Sequence, residues 1–278
     1  MVTKIIACSD IHIPSYKGID DVKTVLSTFI EQCRETVKKN GKKSTRIVVG
    51  GDVFHNKITI SNENIMAVHW FLKELNSICN TIVIAGNHDF LMNNMDRVDS
   101  LTPIFEIGDL KNVIYLDKEL NYKSGIFIDD NIAWCLYSSF DGFNSPDIKM
   151  YKDGIKKDEN LTYVGLIHGD VNGAITSTNY VVEHGLEPTT FEECDFVIAG
   201  HIHKRQEIKK NGVKIVYCSS LRQTNMGESV SGHGFVLWDV NEKTYEYVDT
   251  DNNDSGYFKF EVYGLDDIKN DYEELINL

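Results

Sequence analysis

Asp10 and His12, then Asp52, Asn87, His168 and the pair His201 and His203 are side chains that can ligate a cation. Asp-x-His and His-x-His put two such groups on one face of an extended segment, because strand side chains repeat every second residue. Carboxylates, imidazoles and an amide oxygen form a borderline-hard donor set, suited to manganese, zinc or ferrous iron and not to a thiolate-rich structural zinc. A tetrahedral ion needs about four ligands, and the seven residues here outnumber that. They fit two ions sharing one bridging carboxylate, an arrangement that in hydrolytic sites serves phosphoryl transfer.

Each of these residues follows a short apolar run. Ile5-Ile6-Ala7-Cys8 leads to Asp10, and Ile47-Val48-Val49 to Gly51-Asp52 and His55. Ile82-Val83-Ile84-Ala85 leads to Gly86-Asn87-His88-Asp89, Leu166-Ile167 to His168, and Phe196-Val197-Ile198-Ala199 to Gly200-His201. Such runs read as buried strands, and ligands of open α/β sheets collect beyond the carboxyl ends of strands. Any one of these motifs is common by chance. Their joint occurrence in this context carries the inference. His69, His184 and His233 lack that context and read as non-ligands, while Asp89 reads as a support for a neighbouring ligand.

A strand over Lys4–Cys8 is followed by an amphipathic helix from about Asp20 to Lys39, with Asn40-Gly41 as its stop. A strand over Arg46–Val49, a helix over Ser61–Ser77 with Ser61 as N-cap, and a strand over Thr81–Ala85 follow. This β-α-β-α-β opening implies an α/β fold with a parallel sheet. The pattern then predicts a short helix over Met95–Phe105 and strands at 113–116, 125–128, 132–137, 162–167 and 196–199. A final meander is expected over 214–219, 234–239 and 244–249. The stretch 251–256 reads as a linker, followed by a strand over Tyr257–Tyr263 and a short acidic helix to Leu278.

With 42% hydrophobic and 25% charged residues, wholesale disorder is excluded. No apolar stretch reaches the ~20 residues of a membrane span, and the N-terminus runs straight into a strand, so the expected location is cytoplasmic with no membrane partner. The six cysteines form no Cys-x-x-Cys pair and read as reduced core thiols. A net charge of −14 argues against coating nucleic acid by bulk charge. It does not exclude an enzyme acting on nucleic acid, since bound cations reverse the local field.

Taken together, Asp-x-His, Gly-Asp, Gly-Asn-His-Asp, a single His and Gly-His-x-His resemble the calcineurin-like metallophosphoesterase superfamily across Asp10 to His203. That resemblance implies two mixed β-sheets packed as a sandwich, flanked by helices, with a dinuclear centre at one edge. Gly51-Asp52-Val53-Phe54-His55 and the stretch from Tyr217 to Arg222, with Gly227-Glu228 and Gly232-His233-Gly234-Phe235, look like the meiotic-recombination-eleven and SbcD nucleases. They are especially similar to the small subunit of tailed-phage recombination endonucleases and to related proteins of large DNA viruses, which would place the chain in a host cytoplasm. Ser/Thr phosphatases of the superfamily carry an arginine shortly after Gly-Asp; Val53-Phe54-His55-Asn56-Lys57 has none.

The resemblance assigns one ion to Asp10, His12, Asp52 and His203, and the other to Asp52, Asn87, His168 and His201, with Asp52 as the bridge. It makes His88 the catalytic group that stabilises the transition state or protonates the leaving oxygen, and His55 the group that orients the phosphate. It implies two divalent ions, manganese first, with zinc, ferrous iron or magnesium as alternatives. The resulting expectation is a two-metal phosphodiesterase, a DNA exo/endonuclease of recombination and repair. Its partners would be DNA, an SMC-like ATPase subunit and a second copy of the chain; Ile65, Met66, Val68, Phe71 and Leu72 could serve that dimer or, as is commoner, belong to the core. The alternatives are a small-molecule or RNA phosphodiesterase, and a non-catalytic scaffold. Residues 1–250 form the expected catalytic domain; 251–278 are the linker and a short extension, the start of a truncated capping domain.

Overall fold

In the computed structural model, residues 1–148 and 157–250 are described. Two six-stranded mixed sheets carry the fold. The first is built from β1 (Lys4–Cys8), β2 (Thr45–Val49), β3 (Thr81–Val83), β4 (Val113–Tyr115), β11 (Gly234–Asp239) and β12 (Thr244–Asp249), in the order β12-β11-β1-β2-β3-β4. The second holds β5 (Gly125–Asp129), β6 (Ile132–Tyr137), β7 (Thr162–His168), β8 (Phe196–Gly200), β9 (Gln206–Lys210) and β10 (Val213–Tyr217), in the order β5-β6-β7-β8-β10-β9. β1 to β4 run parallel, as do β6, β7, β8 and β10; β11, β12, β5 and β9 pair antiparallel.

Both faces of the central strands are buried, which is why they read as unbroken apolar runs. In β1, Ile5 and Ala7 face the core between the sheets, where they join Trp134, Leu166 and Ile198. Ile6 and Cys8 face the other way, under the helices. There α1 (Ile19–Asn40) and α2 (Asn62–Ile78) lay down Val22, Phe29, Cys33, Phe71 and Leu75. Full burial of one such phenylalanine contributes about 1.5–3 kcal/mol. Across the inter-sheet core, Phe196 stacks on Trp238 with ring centroids 4.0 Å apart.

The helix starts and stops follow their expected chemistry. Ser61 Oγ accepts from the Asn64 N–H at 3.1 Å, and Gly41, at φ 95°, closes α1 through its N–H to the Val37 carbonyl. All six cysteines are free and buried, and among the described residues no helix is long and apolar enough to cross a membrane.

Three expectations are corrected, and one strand is added. The helix placed over 95–105 is α3 (Thr102–Ile107). Asp99 accepts from the N–H groups of Leu101 and Thr102, and Pro103 sits in the first turn of α3, a placement that favours a helix start there. Leu116 leaves the fourth strand to begin the four-residue α4 (Leu116–Glu119). The final meander is split: β10 belongs to the second sheet beside β8, while β11 and β12 extend the first beside β1. β9, an edge strand reading Gln-Glu-Ile-Lys-Lys, was hidden by its polar composition. Of the residues offered for a dimer face, Val68, Phe71 and Leu72 are fully buried under α1, leaving Ile65 and Met66 exposed. The linker, strand and helix expected beyond residue 250 lie outside the described residues.

Candidate metal centre

The carboxyl ends of β1, β2 and β3 meet those of β7 and β8 at one edge of the sandwich, and all seven expected ligands arrive there. Asp10 and Asp52 are the buried acidic centre, with 0% and 2% exposure. His168 Nε2 lies 3.3 Å from Asp52 Oδ2 and 3.9 Å from Asp10 Oδ1. His203 Nε2 lies 3.4 Å from Asp10 Oδ1 and 3.1 Å from His12 Nε2, which is itself 3.7 Å from Asp52 Oδ2. Asn87 Oδ1 is 2.8 Å from His201 Nδ1.

Such convergence demands tight turns. Asp10, His12, Asp52 and His201 all have positive φ, between 49° and 94°, a conformation that costs a non-glycine residue of order 1–3 kcal/mol and clusters at functional sites. Gly51 and Gly86 make the close approach possible: a Cβ on Gly51 would stand 2.5 Å from His168 Nδ1, and one on Gly86 would stand 2.2 Å from Asp52 Oδ1. The buried Asp89 ties the two loops together, accepting from Gly86 N–H at 2.8 Å and from Phe54 N–H at 2.9 Å. The expected supporting role of Asp89 is therefore to hold loops in place.

Whether a cation fits can be judged from the imidazole protons. His168 Nδ1 faces the Gly50 carbonyl at 2.7 Å, and His203 Nδ1 faces Glu228 Oε1 at 2.7 Å. Those acceptors call for N–H at Nδ1, as is usual for ligand histidines. Each Nε2 lone pair is then turned toward carboxylate oxygens, and buried His168 Nε2 has no hydrogen-bond partner. Positive charge is missing between them. Protons supply it in the metal-free protein: burial alone would lower both imidazoles, yet Asp52 and Asp10 lift His168 to about 9, and Asp10 and Glu228 lift His203 to about 10. Conversely, burial would raise Asp10, but His203, His168 and His12 hold it well below the usual carboxylate range. Divalent cations satisfy the same lone pairs and carboxylates. Two of the clusters able to hold an ion, Asp10-His12-His203 and Asp52-His168-His201, divide the ligands as two neighbouring sites would.

A third cluster, His12-Asp52-His88, shares members with both. His88 Nε2 stands 4.0 Å from Asp52 Oδ2, and its N–H of the backbone donates to Asp52 Oδ1 at 2.7 Å. Its Nδ1 meets the His55 carbonyl, and its ring lies 6.1 Å from that of exposed His55. These two imidazoles line the open side of the centre. His69, His184 and His233 belong to none of the candidate cation clusters among the described residues.

Sequence reading missed the outer partners: the Gly50 carbonyl, Thr224 and Glu228 on His203, and Asp170, whose Oδ1 is 3.7 Å from His201 Nε2. Glu228 and Thr224 belong to the loop that follows β10, a sixth strand pointing its carboxyl end at this edge. That apolar run, Ile215-Val216-Tyr217-Cys218, was the available signal.

This sandwich, with histidines and carboxylates gathered where its two sheets meet, is a metallophosphoesterase fold. The chain belongs to the calcineurin-like phosphoesterases, whose family pattern matches residues 3–205. It is 33% identical over 253 residues to the uncharacterized protein R555 of Acanthamoeba polyphaga mimivirus, covering 90% of this chain and 18% of that protein. It is 26% identical to the phosphoesterase-like 244L protein of invertebrate iridescent virus 6, covering 78% of this chain and 71% of that one. The chain thus spans less than a fifth of R555. A dimetal phosphatase from Danio rerio shares the fold with a TM-score of 0.50 at 11% identity, over 86% of this chain and 93% of that one.

Proposed function

We propose that this chain is a two-metal phosphodiesterase acting on DNA in recombination or repair. The observation that carries the reading is the pair of imidazoles, His55 and His88, on the open side of a complete ligand set. In this reading Asp10, His12, Asp52 and His203 hold one ion, and Asp52, Asn87, His168 and His201 the other. Manganese is the ion the nuclease resemblance puts first, and the mixed carboxylate, amide and imidazole donors suit zinc or ferrous iron as well. Two bound divalent ions supply the charge that activates the attacking water and neutralises the phosphate.

The protein's own groups do the rest. Asp10 and Asp52, ionised at neutral pH, orient the neighbouring imidazoles. His88 hands a proton to the departing sugar oxygen, a poor leaving group that needs an acid. Its Nδ1 contact with the His55 carbonyl fixes the ring so that Nε2 faces the centre. His55 holds the phosphate from the exposed side. Beside His203 a polar cavity of about 340 Å³, lined by Ser177, Asn179, Lys204, Ser229 and Ser231, leaves room for substrate beyond the reacting phosphate.

Residues 1–250 would be the catalytic domain in this reading. An SMC-like ATPase and a second copy of the chain would be its partners, the latter through Ile65 and Met66. The test is digestion of single- and double-stranded DNA with Mn2+, beside RNA, cyclic nucleotides and bis-p-nitrophenyl phosphate. Mn2+-dependent cleavage of DNA is expected. Activity on the small diester alone would move the reading to a small-molecule phosphodiesterase, and no hydrolysis with any divalent ion would sink it. Light scattering of the purified chain reports the dimer.

A further inference from the structure

Position 222 carries an arginine in the loop that leaves β10, and its surroundings are unusual for a surface guanidinium. The loop is anchored at every step. Ser219 Oγ donates to the His203 carbonyl at 2.7 Å, Leu221 is in the core at 2% exposure, and Gln223 is 5% exposed and donates through Nε2 to the Glu228 carbonyl at 3.0 Å. Thr224 N–H donates to Glu228 Oε2 at 2.9 Å, and that same Glu228 braces His203. The residue between Leu221 and Gln223 therefore has little freedom to leave the site.

Among the described residues Arg222 makes one hydrogen bond, from Nη1 to the Gln223 carbonyl at 3.0 Å, and its buried Nε finds no partner. Among the described residues it pairs with no carboxylate, whereas Arg34, Arg46 and Arg205 each do. Burial first, then His88 and then the charge of Arg222 lower the His55 imidazole below its ordinary value. A partly buried guanidinium on a loop braced against His203, with a desolvated N–H and no carboxylate partner among the described residues, is electrostatically incomplete. An anion bound at the metal centre beside His203 would complete it, and guanidinium forks bind phosphate oxygens in two-point fashion.

We propose that Arg222 binds the non-bridging oxygens of the substrate phosphate, supplying from the β10 loop the cation that the stretch Val53–Lys57 lacks. This rests on the phosphoester reading of the site, but it makes a claim of its own, that the site takes phosphate through Arg222. A phosphomonoester dianion gains more from such a cation than a diester monoanion, so the group also widens the substrates the site accepts.

Calorimetric titration of inorganic phosphate into the Mn2+-loaded chain tests it. Arg222→Gln is expected to weaken phosphate binding about ten- to a hundredfold, the range for losing a charged hydrogen-bond partner, with Arg222→Lys recovering part. Metal content and melting temperature should stay unchanged. KM for p-nitrophenyl phosphate should rise more than KM for its bis ester. On the wild-type chain, inorganic phosphate should protect Arg222, and not Arg97, from phenylglyoxal, a readout that needs no variant to fold. Equal phosphate affinity in wild type and Arg222→Gln, or no protection of Arg222, overturns the proposal. Phosphate binding that depends on Arg222 in a chain that hydrolyses no ester would instead keep Arg222 and discard the hydrolase.

Discussion

The two sheets do different chemistry at the shared edge. The first brings the oxygens: Asp10, Asp52 and Asn87, with His12 as its one ligand imidazole. The second brings nitrogen alone, in His168, His201 and His203. Neither half is a site. Sheet one offers its buried carboxylates a single imidazole, His12, whose pKa burial lowers to about 3. Among the described residues sheet two sets one outer carboxylate, Asp170, beside its imidazoles, and its exit loop another, Glu228; His168 takes its acceptor, the Gly50 carbonyl, from sheet one. The centre exists because the inter-sheet core, with Trp134, Trp238 and Phe196 at its heart, fixes one edge against the other. Opposite charges on separately folded layers make the site a consequence of docking them.

Asp52 is where the comparison breaks hardest. It stands within 3.7 Å of His12 and 3.3 Å of His168, the only carboxylate among the described residues with an imidazole from each sheet at those distances on a single oxygen, Oδ2. Asp52→Ala should abolish turnover and remove at least one ion per chain by metal analysis. Full stoichiometry in that variant would show that Asp52 bridges nothing.

His88 separates chemistry from metal holding. His88→Ala should lower kcat about a hundred- to ten-thousandfold, the usual worth of a positioned general acid, with both ions retained. Loss of an ion instead would promote the His12-Asp52-His88 cluster to a ligand set and cancel the acid role.

Protonation distinguishes the two sheets without mutation. In the metal-free chain His168 and His203, raised to about 9 and about 10, carry protons at pH 7, while the carboxylates of sheet one are already ionised. Cations must displace those protons. Loading at neutral pH should release about two protons, and affinity should fall about a hundredfold for each unit of pH lost. Stability moves the other way. Because these pKa values are raised, their contribution to the metal-free fold is complete below about 6.5 and is lost as pH rises through 9 and 10. Calorimetry in buffers of different ionisation enthalpy counts the protons. A count of zero would mean that the imidazoles are neutral before the metal arrives.

The oxygen half was the more legible in sequence. Asp10, Asp52 and Asn87 sit two or three residues past apolar runs that alternate between two buried faces, and a run buried on both faces shows plainly in composition. The nitrogen half was legible as far as His168, His201 and His203, and no further. Their supports lie in loops without periodicity: Glu228 is ten residues past Cys218, and Arg222 was read only as part of a motif. β9 was invisible for a related reason, since an edge strand needs no apolar pattern. The split of the last three strands between sheets could not be seen either, because pairing partners are set by inter-sheet packing and not by the local alternation of β10, β11 and β12.

Glu228 sharpens the comparison most finely. It is 7% exposed, and Thr224 N–H and the His203 ring both bind its carboxylate. Burial would raise it, yet His203 and Thr224 bring it below its ordinary value. It is thus a charged outer partner, and through it His203 keeps its proton on Nδ1 and its lone pair on Nε2. Glu228→Gln preserves shape but removes the charge, and the amide can present its NH2 to Nδ1, turning the ring's proton to the metal side. The expected loss in metal affinity is about ten- to a hundredfold, as for other outer partners of ligand histidines. It should fall on the ion held by Asp10, His12 and His203, while the ion near His168 stays, because His168 takes its tautomer from the Gly50 carbonyl, which no side-chain change can remove. Titrating Mn2+ into this variant should therefore resolve two unequal sites. If both weaken together, the two halves are coupled through Asp52 more tightly than their separate outer partners imply.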